Sequence, residues 1–289
     1  MARQIKISAS SLNIRLHPHS PDIYISWLDK LYRKRLISQV YGDRYGMLSS
    51  LDRSKADEKV LSGIITTFVK FDKGGQWFNS SELKEATEDE VSKISIPVDL
   101  HWNPASFYFK FFAKSHRLYF QTYSEGKSIT QLSALNFFKN LARDLEVIGE
   151  FGEAQISVVQ DRASLDKMFK IDRIKEISIT ILKPNTDIFD DDFEQNIEAH
   201  LAQTRSREIT VTYKADAGGS IDPDDDIKKI SKVALDNGSV KVVGRDAKGA
   251  VKMNSEQFPE ELHDKFDPDV TNERSAFLAL LPPSPPIVE

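Results

Sequence analysis

Two runs of alternating aromatic and polar residues constrain this chain more than any other feature. Phe107-Tyr108-Phe109-Lys110-Phe111-Phe112 and Leu118-Tyr119-Phe120-Gln121-Thr122-Tyr123 flank the polar stretch Lys114-Ser115-His116-Arg117. Successive side chains of a strand point to opposite faces of a sheet, so two such runs across a short polar connection predict an antiparallel hairpin. The same period of two recurs in Ile5, Ile7, Leu12, Ile14 and Leu16, and residues 40–51 and 60–71 read as two further strands. The first of these contains Tyr41-Gly42-Asp43-Arg44-Tyr45-Gly46, where glycine at strand positions implies a bulge or the close approach of another backbone or a ligand.

Helical signals separate the strands. Ser20 can cap a helix with Pro21 at its first position; Ile23, Trp27, Leu28 and Leu31 then follow at helical spacing up to Tyr32-Arg33-Lys34-Arg35. Residues 128–146 read as one helix, with Leu132, Leu135, Phe138, Leu141, Leu145 and Ile148 on one side. A strand at 155–160, a short helix at 163–168 and a strand at 174–182 come next, then a helix at 189–203 and a strand at 209–213. Asp222-Pro223-Asp224-Asp225-Asp226 opens a helix carrying Ile227, Ile230, Val233 and Ala234, and Asn237-Gly238 closes it. Residues 240–243 and 250–253 form a last hairpin, and the proline-rich residues 282–286 form an extended tail. The expected fold is α+β, with mixed, largely antiparallel sheets and two closely packed subdomains: residues 1–172, residues 173–270, and a C-terminal segment from 271 to 289.

Composition removes several function classes. The 289 residues include no cysteine, which excludes thiolate catalysis, zinc fingers, iron–sulfur clusters and thiol-based redox sensing. The apolar run Ala276-Phe277-Leu278-Ala279-Leu280-Leu281 falls short of a membrane span and the first residues lack a secretory apolar region, so a cytoplasmic protein without a membrane partner is expected. The net charge of −5 is unevenly spread: residues 1–50 carry eight basic and three acidic side chains, whereas residues 186–226 carry twelve acidic and three basic ones. Such asymmetry suits surfaces with different partners, or a homo-oligomer in which the basic face of one copy meets the acidic face of another.

The chemical candidates follow from this distribution. Asp190-Asp191-Asp192 and Asp224-Asp225-Asp226 could hold a divalent cation for phosphoryl chemistry, but both fall where helices begin and where negative charge is stabilised by free backbone N–H groups. His17-Pro18-His19 places two imidazoles around a rigid proline with no third ligand nearby, and a turn is the simpler reading. No nucleophile elbow, Walker loop or dinucleotide-binding glycine pattern is present. Asp43 and Arg44, between two tyrosines and two glycines, could meet a nucleotide or phosphate, or pair with neighbours in a bulged strand. Arg15, Lys30, Arg33, Lys34, Arg35 and Arg44 together form the expected electrostatic surface for nucleic acid. Cations at the end of a helix also complement its dipole without any ligand.

Asn13-Ile14-Arg15-Leu16-His17-Pro18-His19-Ser20-Pro21 and Tyr41-Gly42-Asp43-Arg44-Tyr45-Gly46-Met47-Leu48-Ser49-Ser50-Leu51, with Trp77-Phe78-Asn79 and Val158-Val159-Gln160, resemble a bacterial family described as a domain of unknown function. That resemblance covers the chain to about residue 270 and implies no established catalytic residues. The layout of the last third, with a strand at 209–213, a helix from 224, a strand from 240 and the Asp246-Ala247-Lys248-Gly249 turn, is similar to that of the phage exclusion protein RexA family and of the KwaB family of the Kiwa defence system. This second resemblance implies DNA binding and phage-related defence. The expectation is therefore a non-enzymatic, homodimeric, nucleic-acid-associated protein of prophage or anti-phage type, with no cofactor and no metal. A metal-dependent nuclease or phosphodiesterase using the aspartate triplets, and a module that docks a protein partner through its tail or acidic surface, are the alternatives.

Overall fold

A computed structural model describes residues 4–17, 20–71, 74–182, 199–201 and 203–283. The chain begins with β1 (Ile5–Arg15), α1 (Pro21–Arg33), β2 (Ser38–Tyr41), β3 (Arg44–Asp52) and β4 (Val60–Val69). An excursion carries β5 (Phe78–Asn79), β6 (Lys84–Glu85) and α2 (Glu88–Ser92), before β7 (Trp102–Phe112), β8 (Arg117–Ser124) and β9 (Lys127–Ser128). Next come α3 (Gln131–Ala142), α4 (Leu145–Phe151), β10 (Gln155–Val158), α5 (Ala163–Phe169), β11 (Arg173–Leu182) and β12 (Glu208–Lys214). The described chain ends with α6 (Asp225–Asn237), β13 (Gly238–Asp246), β14 (Gly249–Asn254), β15 (Glu261–Phe266) and α7 (Glu273–Leu280).

The fold is α+β. A nine-stranded sheet has the path β10-β1-β8-β7-β4-β3-β2, with β15 also pairing β1 and β9 pairing β8; a second sheet has the order β12-β11-β13-β14. Every pairing between named strands among the described residues is antiparallel. The aromatic hairpin forms with Phe109 opposite Phe120 and Phe111 opposite Leu118. This register puts Phe107, Phe109, Phe111, Leu118 and Phe120 into one core with Trp27 and Leu28 of α1 and Phe137 and Phe138 of α3.

The strand β1 is buried on both faces, which makes it the centre of the molecule. Its Leu12 and Ile14 enter the α1/α3 core, while Ile7 and Ala9 on the other face pack with Phe277 of α7. The second sheet has its own core, in which Ile177, Ile179 and Ile181 of β11 and Val240 and Val242 of β13 meet Ile227, Val233 and Ala234 of α6.

Three expectations about the elements are corrected. Residues 40–51 form a hairpin rather than one strand, because Gly42, with φ +55°, turns the chain between Tyr41 and its partner Arg44. Residues 128–146 are two helices, because the Asp144 carboxylate accepts from the N–H groups of Glu146 and Val147 and starts α4 afresh. The buried stripe of α3 is then Ala134, Phe137, Phe138 and Leu141, and Leu132 is exposed. Finally, residues 261–280 belong with the first sheet rather than with the second subdomain and tail, since β15 pairs Ile5 through Ser10 of β1 and α7 covers the adjoining face. The open edge of β1 needs partners for its N–H and C=O groups, and Ile7, Phe112 and Tyr119 need cover. The helix expected at 189–203 falls largely outside the described residues, as do residues 284–289 of the tail.

The two layers meet through polar groups at the C-terminal end of α6. Asn13 Nδ2 donates to the Asp236 carbonyl at 2.9 Å, Arg15 Nη1 to Asn237 Oδ1 at 3.4 Å, and Gln160 Nε2 to the Gly238 carbonyl at 2.7 Å. The Asp236 carboxylate takes Arg117 Nη2 at 2.6 Å and Arg162 Nη2 at 3.1 Å. Cations at the end of a helix, where its carbonyls point outward, are favoured by its dipole.

Candidate nucleic-acid interface

The six expected cations do not form one surface. Arg15 alternates with Ile14 along β1 and faces the seam between the layers, where it is fully buried. Burial lowers its pKa to about 10, which still leaves it charged near neutral pH. Arg15 is thus corrected from a surface contact to a group that joins the layers. Along α1, Lys30 pairs with Glu150 at 2.9 Å and Arg33 with Asp29, one turn earlier, at 2.6 Å. Lys34 reaches both Asp144 at 2.7 Å and Glu146 at 2.8 Å, and its hydrogen bonds to these carboxylates raise its pKa. These pairs tie the end of α1 to α4 and neutralise much of the charge that the helix would offer a phosphate. Arg35 is exposed in the turn that follows, at φ +49°.

Arg44 occupies a different setting. It stands opposite Val69 of β4, which in turn stands opposite Trp102 of β7, so three strands end together at one tip of the large sheet. The guanidinium donates from Nε to Thr67 Oγ1 at 3.1 Å and from Nη2 to the Asn103 carbonyl at 3.3 Å. Asn103 adopts a left-handed φ of +56° and accepts from Lys127 Nζ at 2.6 Å, which places a second cation beside the first.

Aromatic rings are exposed at the same end of the sheet. Phe71, at the start of the excursion between β4 and β7, has its ring centroid 6.4 Å from that of Trp77 and 6.3 Å from that of Trp102. Lys70 Nζ lies 5.4 Å from the centroid of the Tyr45 ring. Tyr41, on the hairpin turn, is 77% exposed, Trp102 63% and Phe71 44%. The sequence pointed to Arg44 through its glycine and tyrosine neighbours, but not to Trp102, which strand register brings to the same end of the sheet, nor to Phe71, whose ring lies near those of Trp77 and Trp102. Their signal was present as aromatic residues on either side of a polar, strand-poor stretch.

Of the carboxylate candidates, the triplet Asp224-Asp225-Asp226 opens a helix. Asp224 caps α6 by accepting from the Ile227 N–H at 2.8 Å, and Asp225 lies 3.7 Å from Lys228 on the same helix. Asp190, Asp191 and Asp192 lie outside the described residues, as do Pro18 and His19 of the histidine turn. Among the described residues, no group of three or more His, Asp or Glu side chains is placed to hold a metal ion. No helix among them is long and apolar enough to cross a membrane.

Comparison with curated proteins finds no match. Residues 5–282, which include both sheets, the polar seam and the aromatic tip, match the family described as Domain of unknown function (DUF4747), and the chain belongs to that family.

Proposed function

We propose that this protein associates with nucleic acid, in single-stranded form, through the aromatic and cationic tip of its large sheet, and that it does so without catalysing a reaction. One observation carries the reading: Arg44, Lys70 and Lys127 lie at the end of the sheet where β3, β4 and β7 finish and where the rings of Tyr41, Phe71 and Trp102 are exposed, and Arg44 and Lys127 both bond to Asn103, the residue after Trp102. Any base offers a π face to such rings, and stacking contributes about 1–3 kcal/mol per base. The cations add phosphate attraction that weakens as salt rises. A duplex keeps its bases stacked on one another and offers these rings less.

Anisotropy of a labelled oligothymidylate tests this. Binding at low salt is expected, with roughly tenfold loss for Trp102→Ala and a shallower salt dependence for Arg44→Ala. No binding at low salt, or equal affinity after Phe71→Ala with Trp102→Ala, overturns the proposal.

A second reading, a protein partner, is favoured by Phe78, Leu83, Val98 and Leu100 on the same excursion, which are 64–90% exposed. It predicts that the ring variants release a copurifying protein while oligothymidylate binding does not change. The phage-related setting rests on the similarity of the C-terminal layout to the RexA and KwaB families. The homodimer and the cytoplasmic location expected from the sequence remain parts of the proposal.

A further inference from the structure

The second layer carries a concavity unrelated to the aromatic tip. Residues of helices α5 and α6 line a cleft of about 490 Å³, a size within the range of small-molecule sites. Four cations line it: Arg162 and Lys170 at the two ends of α5, and Lys228 and Lys232 one turn apart on α6. Asp166 is the one acidic side chain in the lining. In a chain whose net charge is −5, this is a local reversal of sign, and a concave wall focuses the resulting field.

Internal pairing accounts for little of this charge. Arg162 gives one guanidinium nitrogen to Asp236, which fixes the orientation of the group while leaving its side chain 73% exposed. Lys228 has only the loose contact to Asp225, a fully exposed carboxylate. Lys170 and Lys232 form no ion pair among the described residues. Like charges at the spacing of Lys228 and Lys232 repel each other on one helix face, and an anion between the helices removes that repulsion. The floor is apolar, formed by Leu165 and the half-buried Phe169, so the cleft suits a ligand with an organic body as well as a charged end.

We infer that this cleft binds a small phosphorylated molecule carrying two or more negative charges, with its phosphates held by Arg162, Lys170 and Lys232 and its organic part over Phe169. A guanidinium offers a phosphate two parallel donors and the lysines offer point charges, which together match a diphosphate or triphosphate better than a single carboxylate.

Isothermal titration of the full chain with pyrophosphate and with ATP tests the inference. Both are expected to bind at low salt, ATP the more tightly, and Lys170→Ala with Lys232→Ala is expected to weaken both at least tenfold. Both lysines are exposed, so the variant should melt as the unaltered chain does. Lys241→Ala with Lys252→Ala, an equal loss of charge on β13 and β14, should leave binding unchanged. The inference is overturned if neither probe binds, if the two double variants weaken binding equally, or if an oligonucleotide binds through these lysines while ATP does not. Trp102→Ala should leave ATP binding intact, so failure here and failure at the aromatic tip are separable.

Discussion

Asp236 shows how one side chain can join two layers. Burial alone pushes its carboxyl up, but the charge and hydrogen bond of Arg117, followed by those of Arg162, outweigh burial and hold it below the usual aspartate value. A carboxylate depressed in this way stabilises the fold fully above its unfolded pKa of about 3.9, and that stability is lost as pH falls through the lower folded value. Urea unfolding at neutral pH and near pH 3 should show this loss, and Asp236→Asn should flatten the difference. Asp236→Ala leaves the nearly buried Arg117 without its carboxylate, and about 3 kcal/mol of destabilisation is expected at neutral pH. An unchanged urea midpoint would mean that the hub contributes nothing. The sequence could not reveal this role, because Asn13 and Arg15 meet Asp236 and Asn237 more than two hundred residues later. Residue type suggested that Arg15 lies on the surface; only its partners explain its burial.

At the scale of elements, local chemistry was largely legible. Ser20 with Pro21 starts α1 and Asp224 starts α6, as the residue types dictate. The same logic separates the two readings of the aspartates. Asp224→Ala should cost about 1 kcal/mol in thermal or urea unfolding through loss of the cap, whereas Asp225→Asn should cost far less because that side chain meets only solvent and Lys228. Equal effects from the two changes would remove the capping account. Where elements were misread, a competing local signal had prevailed: Gly42 turned an apparently continuous strand, and Asp144 restarted an apparently continuous helix. The site was half legible. Arg44 stood out by its neighbours, while Trp102 lies far from it in sequence and reaches the same end of the sheet only through the antiparallel register of β3, β4 and β7.

The whole molecule is closed by its last described segment. The strand β15 occupies the edge of β1 from Ile5 to Ser10, and α7 covers Ile7 and Ala9 on the adjoining face. A chain ending at residue 254 would expose both an unpaired edge and an apolar face, and it is expected to aggregate or to lose cooperative unfolding by calorimetry. A soluble 1–254 chain with an unshifted transition would show that this closure is dispensable. The amino-acid sequence by itself determined the class of fold, the aromatic hairpin, the starts of α1 and α6 and the absence of thiol chemistry, because each follows from residue type and spacing over a few positions. The tertiary structure alone decided which cations face solvent, which are tied to carboxylates or buried at the seam, and where the chain returns to its first strand. Those outcomes depend on contacts between distant segments, whose energies no local pattern records.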